Sequence, residues 1–223
     1  KEDDFVENIF ITSTHANLLF FTNKGKAYKL KAYEIPDAGR TAKGMNLINL
    51  LPLETDEVIQ AVLALKELEQ DGYLFMCTKQ GIVKKTCLSE FKNLRRKGLI
   101  ALSLKDGDEL LKVKVTYGDA DIMIVTEKGY SIRFNEKDVR AMGRNAAGVK
   151  AITLRENDIA VCMDIVVKGE KVLVISENGY GKRTNIEEYK LQNRGGMGLI
   201  TYKLTEKTGK VVGATICKDD DEI

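Results

Sequence analysis

One phrase recurs four times along the chain: a short apolar run ends in Thr or Ser, two residues follow, then glycine. It stands at Thr22-Asn23-Lys24-Gly25, Thr78-Lys79-Gln80-Gly81, Thr126-Glu127-Lys128-Gly129 and Ser176-Glu177-Asn178-Gly179. The glycines are 56, 48 and 50 residues apart. A second glycine follows in each unit, at Gly44, Gly98, Gly148 and Gly198. A period of this size belongs to propellers, solenoids and arrays. A unit this small cannot close its own core, so neighbours must stack to bury a continuous one.

The third unit is the clearest. Ile122-Met123-Ile124-Val125 is an apolar run, Glu127-Lys128-Gly129 a turn, and Tyr130 to Phe134 alternates, which predicts a hairpin of two strands. Val149 to Leu154 alternates again, and Ile159 to Val166 gives a fourth strand. The expected fold is therefore all-β: a propeller-like array of four-stranded blades of about 50 residues. Blades are expected over 16–69, 70–118, 119–168 and 169–218, with a tail at 219–223. The opening Asp3 to Thr12 matches the last strand of each unit, so residues 1–15 read as the end of a preceding blade and the chain as a piece of a longer protein. Val62 to Leu68 is too short an apolar run to tell strand from helix.

Several function classes have little support. No run of 18 apolar residues suggests a membrane span. Cys77, Cys87, Cys162 and Cys217 show no metal-ligand spacing and read as reduced thiols. His15 is the single histidine, which leaves little scope for His-based catalysis or metal binding. The P-loop spacing is missing at Gly179-Tyr180-Gly181-Lys182-Arg183-Thr184 and at Arg194-Gly195-Gly196-Met197-Gly198. Ser13, Ser89 and Ser103 have no nucleophile-elbow context. No cofactor is expected in this chain and no catalytic residue.

The net charge of +2 conceals a pattern. Four residues after each hairpin glycine stands a base: Lys29, Lys85, Arg133 and Arg183, joined by Lys84 and Lys182 in units two and four. The loop before each second glycine is also basic: Arg40 and Lys43, then Arg95, Arg96 and Lys97, then Arg140 and Arg144, then Lys190 and Arg194. Acids gather in the turn before the last strand, as at Glu54 to Glu57, Asp106 to Glu109, and Glu156 with Asp158. Stacked units place equivalent positions on one surface. The bases therefore predict a band suited to a polyanion with regularly spaced charge, and duplex DNA is such a ligand. The plainer reading is a solvated face that protects strand edges. The second glycines either permit a sharp bend with φ > 0 or let a phosphate approach backbone N–H groups. The strand tyrosines and phenylalanines read as core, with a stacking platform for single strands as the alternative.

At these residues the chain resembles a known family, the C-terminal domain of the DNA gyrase A subunit. Gly39-Arg40-Thr41-Ala42-Lys43-Gly44 with Asn49-Leu50-Leu51-Pro52-Leu53-Glu54 carries the resemblance. So do Asp106-Gly107-Asp108-Glu109-Leu110, Arg140 to Val149, and Asn178 to Thr184. The topoisomerase IV counterpart keeps fewer of these motifs. The resemblance implies a six-bladed β-pinwheel whose neighbouring blades exchange strands, of which these units look like blades two to five. It implies non-sequence-specific wrapping of double-stranded DNA on a basic rim, in support of ATP-dependent negative supercoiling. The implied partners are the remainder of the gyrase A subunit, together with the gyrase B subunit, in an A2B2 heterotetramer in the bacterial cytoplasm at the nucleoid. The active-site tyrosine and the ATP and Mg²⁺ chemistry lie elsewhere in that holoenzyme. The family's Q-[KR]-R-G-G-[KR]-G box is resembled by Gln192 to Gly198, with Asn193 and Met197 in place of two bases. The competing readings are a WD40-type protein-interaction propeller, which the absence of any Trp disfavours, and an enzyme with a central-channel site.

Overall fold

The computed structural model describes residues 9–66, 71–94 and 97–221. Unit one contributes β1 (Asn17–Thr22), β2 (Lys26–Lys31) and β3 (Ile59–Leu65). Unit two contributes β4 (Tyr73–Thr78), β5 (Ile82–Cys87), β6 (Leu99–Ile100) and β7 (Leu110–Thr116). Unit three has β8 (Asp121–Thr126), β9 (Tyr130–Asn135), β10 (Val149–Lys150) and β11 (Ala160–Ile165). Unit four has β12 (Lys171–Ser176), β13 (Gly181–Asn185), β14 (Leu199–Ile200) and β15 (Val211–Cys217). The ambiguous run after Val62 is strand as far as Leu65. Of the segment read as the end of a preceding blade, residues 3–8 lie outside the described residues, and residues 9–12 form no strand.

The sheets are antiparallel, in the orders β3-β1-β2-β6, β10-β5-β4-β7, β11-β8-β9-β14 and β13-β12-β15. These orders correct the reading of one unit as a whole four-stranded blade and agree with the strand exchange that the resemblance implied. Each unit supplies three strands to its own sheet, and its short strand crosses over to pair with the second strand of the unit before it. Leu99 pairs with Ala27, Val149 with Val83, and Leu199 with Ser131. The alternation read through Leu154 ends as strand at Lys150, because Ala151 and Ile152 both donate their N–H to the carbonyl of Gly81 and turn the chain.

The apolar runs are central strands, and their period of two explains burial on both faces. Leu74 and Met76 of β4 pack toward unit one with Leu19 and Phe21, while Phe75 and Cys77 pack toward unit three with Ile122, Ile124 and Phe134. Met123 and Val125 then meet Val172 and Val174 of unit four. The core therefore lies between units, as stacking requires. Each fully buried side chain of this size is worth about 1.5–3 kcal/mol.

The recurrent Thr-x-x-Gly is a turn with an acid cap. Gly25, Gly81, Gly129 and Gly179 have φ of 72°, 73°, 79° and 78°, where a Cβ is strained. Thr126 Oγ1 donates to Asp158 at 2.8 Å and accepts from the N–H of Tyr130 at 3.2 Å. Asp158 also accepts from the N–H of Lys128 at 2.9 Å. Asp108 takes the N–H of Gln80 at 3.0 Å, and Glu57 takes the hydroxyls of Thr22 and Tyr28 at 2.8 and 2.9 Å. These three acids are buried. One acid of each cluster thus ties the last strand of its unit to the first hairpin. Burial alone would push the Glu57 carboxyl up, but hydrogen bonds from the Glu54 N–H, Thr22 and Tyr28, with the charge of Lys26, hold it below its usual value. Its contribution is present at neutral pH and is lost as pH falls through that lowered value.

Candidate nucleic-acid interface

The bases four residues after each hairpin glycine all donate to backbone carbonyls, and three of them do so across a junction. Lys29 Nζ donates to the carbonyl of Lys92 at 2.9 Å, and Lys85 Nζ to that of Glu136 at 2.9 Å. Arg133 donates to the carbonyls of Ile186 and Tyr189 at 3.2 and 3.1 Å, and Arg183 to that of Asp219 at 3.3 Å. In the first three cases the acceptor lies in or next to the short 3-10 helix of the following unit: Leu88–Phe91, Glu136–Asp138 or Ile186–Glu188. Lys29, Lys85 and Arg133 thus clasp their sheets to the next, while Arg183 meets the tail beyond the last strand of its own sheet. The recurrence therefore has a structural source at three of the four positions.

Burial bears further on two positions. Lys85 is 6% exposed and pairs with Glu136, itself fully buried, at 3.7 Å. Lys84 is fully buried, and its ammonium donates to the carbonyls of Ala101 (2.6 Å), Arg144 and Ala146 (3.3 Å). Neither can meet a phosphate without unfolding a junction. Arg133 is half-buried, its guanidinium forked onto Asp121 at 2.8 and 3.1 Å. Lys182 is more open, beside a cleft lined by Ser131, Thr184 and Tyr189, and donates to the carbonyl of Thr201 at 3.2 Å.

Burial lowers the Lys84 pKa to about 8, against an opposing effect of the nearby Glu90 carboxylate. A lysine whose native pKa lies below its unfolded value costs stability while both states are protonated. That cost is relieved as pH rises from about 8 toward 10.5. Thermal stability is therefore expected to rise between about pH 7.5 and about pH 9.5, and Lys84→Met should reduce the rise. An unchanged rise in thermal scans of the variant would contradict this account of Lys84. Lys29, which burial and Lys31 shift in the same direction, accounts for a remainder.

The loop bases differ. Arg40, Lys43, Lys97, Arg140 and Lys190 are exposed and have no hydrogen bond or ion pair among the described residues. Arg95 and Arg96 lie outside the described residues. Arg144 faces the Glu90 carboxylate at 3.8 Å. Arg194 bends back, donating to the carbonyls of Asp138 at 2.9 Å and Lys150 at 3.0 Å. The loop that resembles the family box therefore spends its arginine on the junction between units three and four.

Three of the second glycines, Gly98, Gly148 and Gly198, make the φ > 0 bend, with φ of 74°, 90° and 69°, and two of them press against backbone of the preceding unit. A Cβ on Gly148 would lie 2.5 Å from the Val83 carbonyl oxygen, and one on Gly198 2.6 Å from that of Ser131. Gly44 has no atom within 4 Å of its Cβ position. The loops run parallel to the acceptor strands, through bridges of Ala141 with Lys85 and Leu191 with Arg133.

The DNA gyrase C-terminal domain, beta-propeller family matches residues 16–66, 72–116, 120–161 and 170–218. The chain belongs to this family. Over all 223 residues it is 62% identical to the DNA gyrase A subunit of Clostridium acetobutylicum, of whose length it spans 27%. The solved C-terminal domain of DNA gyrase A superposes with a TM-score of 0.80 at 33% identity, covering 94% of this chain and 68% of that one. The C-terminal domain of DNA topoisomerase IV superposes with a TM-score of 0.86 at 31% identity, covering 92% and 65%. The backbone thus fits both C-terminal domains, and the likeness to gyrase A is carried by sequence. No helix is long and apolar enough to cross a membrane, and no group of three metal-ligating side chains occurs among the described residues.

Proposed function

We propose that the chain binds duplex DNA without sequence preference along its interblade loops. It acts as the DNA-wrapping part of a gyrase-type A subunit in the bacterial cytoplasm. The observation that carries this is the set of exposed loop cations without partners among the described residues. Arg40 and Lys43 serve unit one, Lys97 unit two, Arg140 unit three and Lys190 unit four. Cations that clasp a junction are already desolvated and paired. These are not, so a phosphate gains them at little cost and releases counterions. Bending a 20–30 bp site by 40–90° costs on the order of 1–6 kcal/mol, which contacts spread over successive units offset. No α-helix that could lie in a major groove is present among the described residues, which supports backbone contact over base reading.

In this reading the 16–69, 70–118, 119–168 and 169–218 units carry one loop each to the DNA. The chain supplies no catalytic residue and binds no cofactor. Strand passage, ATP and Mg²⁺ belong to the other gyrase domains in an A2B2 assembly, and the wrap supports negative supercoiling there. Charge reversal tests the loop assignment. Arg40→Glu, Lys97→Glu and Arg140→Glu should each weaken binding on every duplex sequence and flatten the salt dependence by about 0.9 log units per log unit of salt. Wild-type affinity and slope in all three would remove the loops from the interface.

A further inference from the structure

The junctions between units two and three and between units three and four solve one problem with different residues. Ala101 and Ala151 hold the same place, each donating its N–H to a hairpin glycine, Gly25 or Gly81. Their carbonyls face the loop of the following unit. At Ala101 the carbonyl is taken by Lys84, which also gathers those of Arg144 and Ala146. An ammonium has three protons, and here it meets three acceptors. Ser103 holds the carbonyl between them, that of Asn145, at 2.8 Å. The Arg144 side chain has no role in this cage and reaches only the edge carboxylate of Glu90. A partly exposed pair at 3.8 Å is worth little and exchanges readily for another anion.

In the next junction the residue equivalent to Lys84 is Ile132, which is buried and has no donor to offer. The Ala151 carbonyl is taken by the N–H of Gly195 at 2.6 Å, and Thr153 holds the Gly195 carbonyl at 2.7 Å. Arg194 turns its guanidinium onto two other carbonyls, those of Asp138 and Lys150.

We propose that Lys84 is a positioning residue for the polyanion surface: by closing the carbonyl cage itself it leaves Arg144 on the exchangeable Glu90 pair and so available to a phosphate, whereas in the junction where Ile132 stands Arg194 is committed to backbone carbonyls of the fold. This rests on the DNA-binding reading and assigns opposite roles to two arginines in equivalent loops.

The test uses a fluorescent duplex of about 40 bp, with affinity measured across a salt series and thermal stability measured on the same samples. Arg144→Gln should flatten the salt slope by about 0.9, one phosphate, with the melting temperature unchanged. Arg194→Gln should lower the melting temperature and leave the slope as in the wild type. Lys84→Met should flatten the slope as Arg144→Gln does, because Arg144 is then drawn to the vacated carbonyls. Adding Arg144→Gln to it should change the slope no further. Additive losses in the double variant overturn the proposal, as do equal slope losses for Arg144→Gln and Arg194→Gln. That second comparison decides the matter even if Lys84→Met does not fold. Failure of the wild-type protein to bind the duplex would instead overturn the DNA-binding reading.

Discussion

Replacing Glu136 by alanine is expected to destabilise the protein by about 3–5 kcal/mol, the cost of leaving a buried charge without its partner. Glu136 is fully buried in the junction of units two and three. It accepts from Thr116 Oγ1 at 2.8 Å and from the N–H groups of Gly118 and Ala120 at 2.9 and 2.8 Å. Lys85 stands 3.7 Å away, almost as deeply buried. Alanine would orphan two N–H groups and a hydroxyl and strip the Lys85 ammonium of its counter-charge, leaving it the backbone carbonyl of residue 136. Glu136→Gln keeps the shape and an acceptor for the two N–H groups, so it should cost less than the alanine change. Chemical denaturation measures both; an alanine variant within about 1 kcal/mol of wild type would show that the network is not coupled to folding.

The second large effect is expected at Gly148. Its φ of 90° strains any L-residue, and a Cβ there would lie 2.5 Å from the Val83 oxygen and 2.9 Å from Ile82 Cγ2. The first of these is backbone, so the strand β10 must lift from β5 and break the pairs of Val149 with Val83 and Lys150 with Ile82. Gly148→Ala should cost more than the roughly 1 kcal/mol of a left-handed residue alone. Gly44→Ala is its control: the same loop position with open space around it, and an expected change within about 0.5 kcal/mol. Equal effects at the two glycines would mean that the close approach carries no energy.

Much of this architecture was legible in the sequence, because it rests on local rules repeated four times. The Thr-x-x-Gly turns fix hairpins, and the period of two in runs such as Ile122 to Val125 fixes central strands buried on both faces. The crossover of β6, β10 and β14 was not legible from the residues themselves. A strand of two residues leaves no alternation to read, and its partner lies in another unit. The charge pattern carries two readings for a physical reason. A base kept in register can serve a ligand that passes every unit or a contact that every unit makes, and sequence alone does not separate the two. Lys29, Lys85 and Arg133 make the contact. One signal was available. Lys84 and Lys85 lie inside a strand with Val83, where alternation would bury one of any two neighbours. The acid caps at Asp108 and Asp158 could have been found from their spacing to Thr78 and Thr126, 30 and 32 residues in sequence and constant in role.

The measurement that bears most directly on DNA wrapping is the affinity of the protein for a labelled duplex of about 40 bp, followed by fluorescence anisotropy over roughly 50–300 mM salt. The expected result is binding that weakens steeply, by about 0.9 log units per log unit of salt for each phosphate neutralised, and alike for duplexes of unrelated sequence. A weak response that stays flat with salt, from a protein whose melting shows it folded, would contradict it.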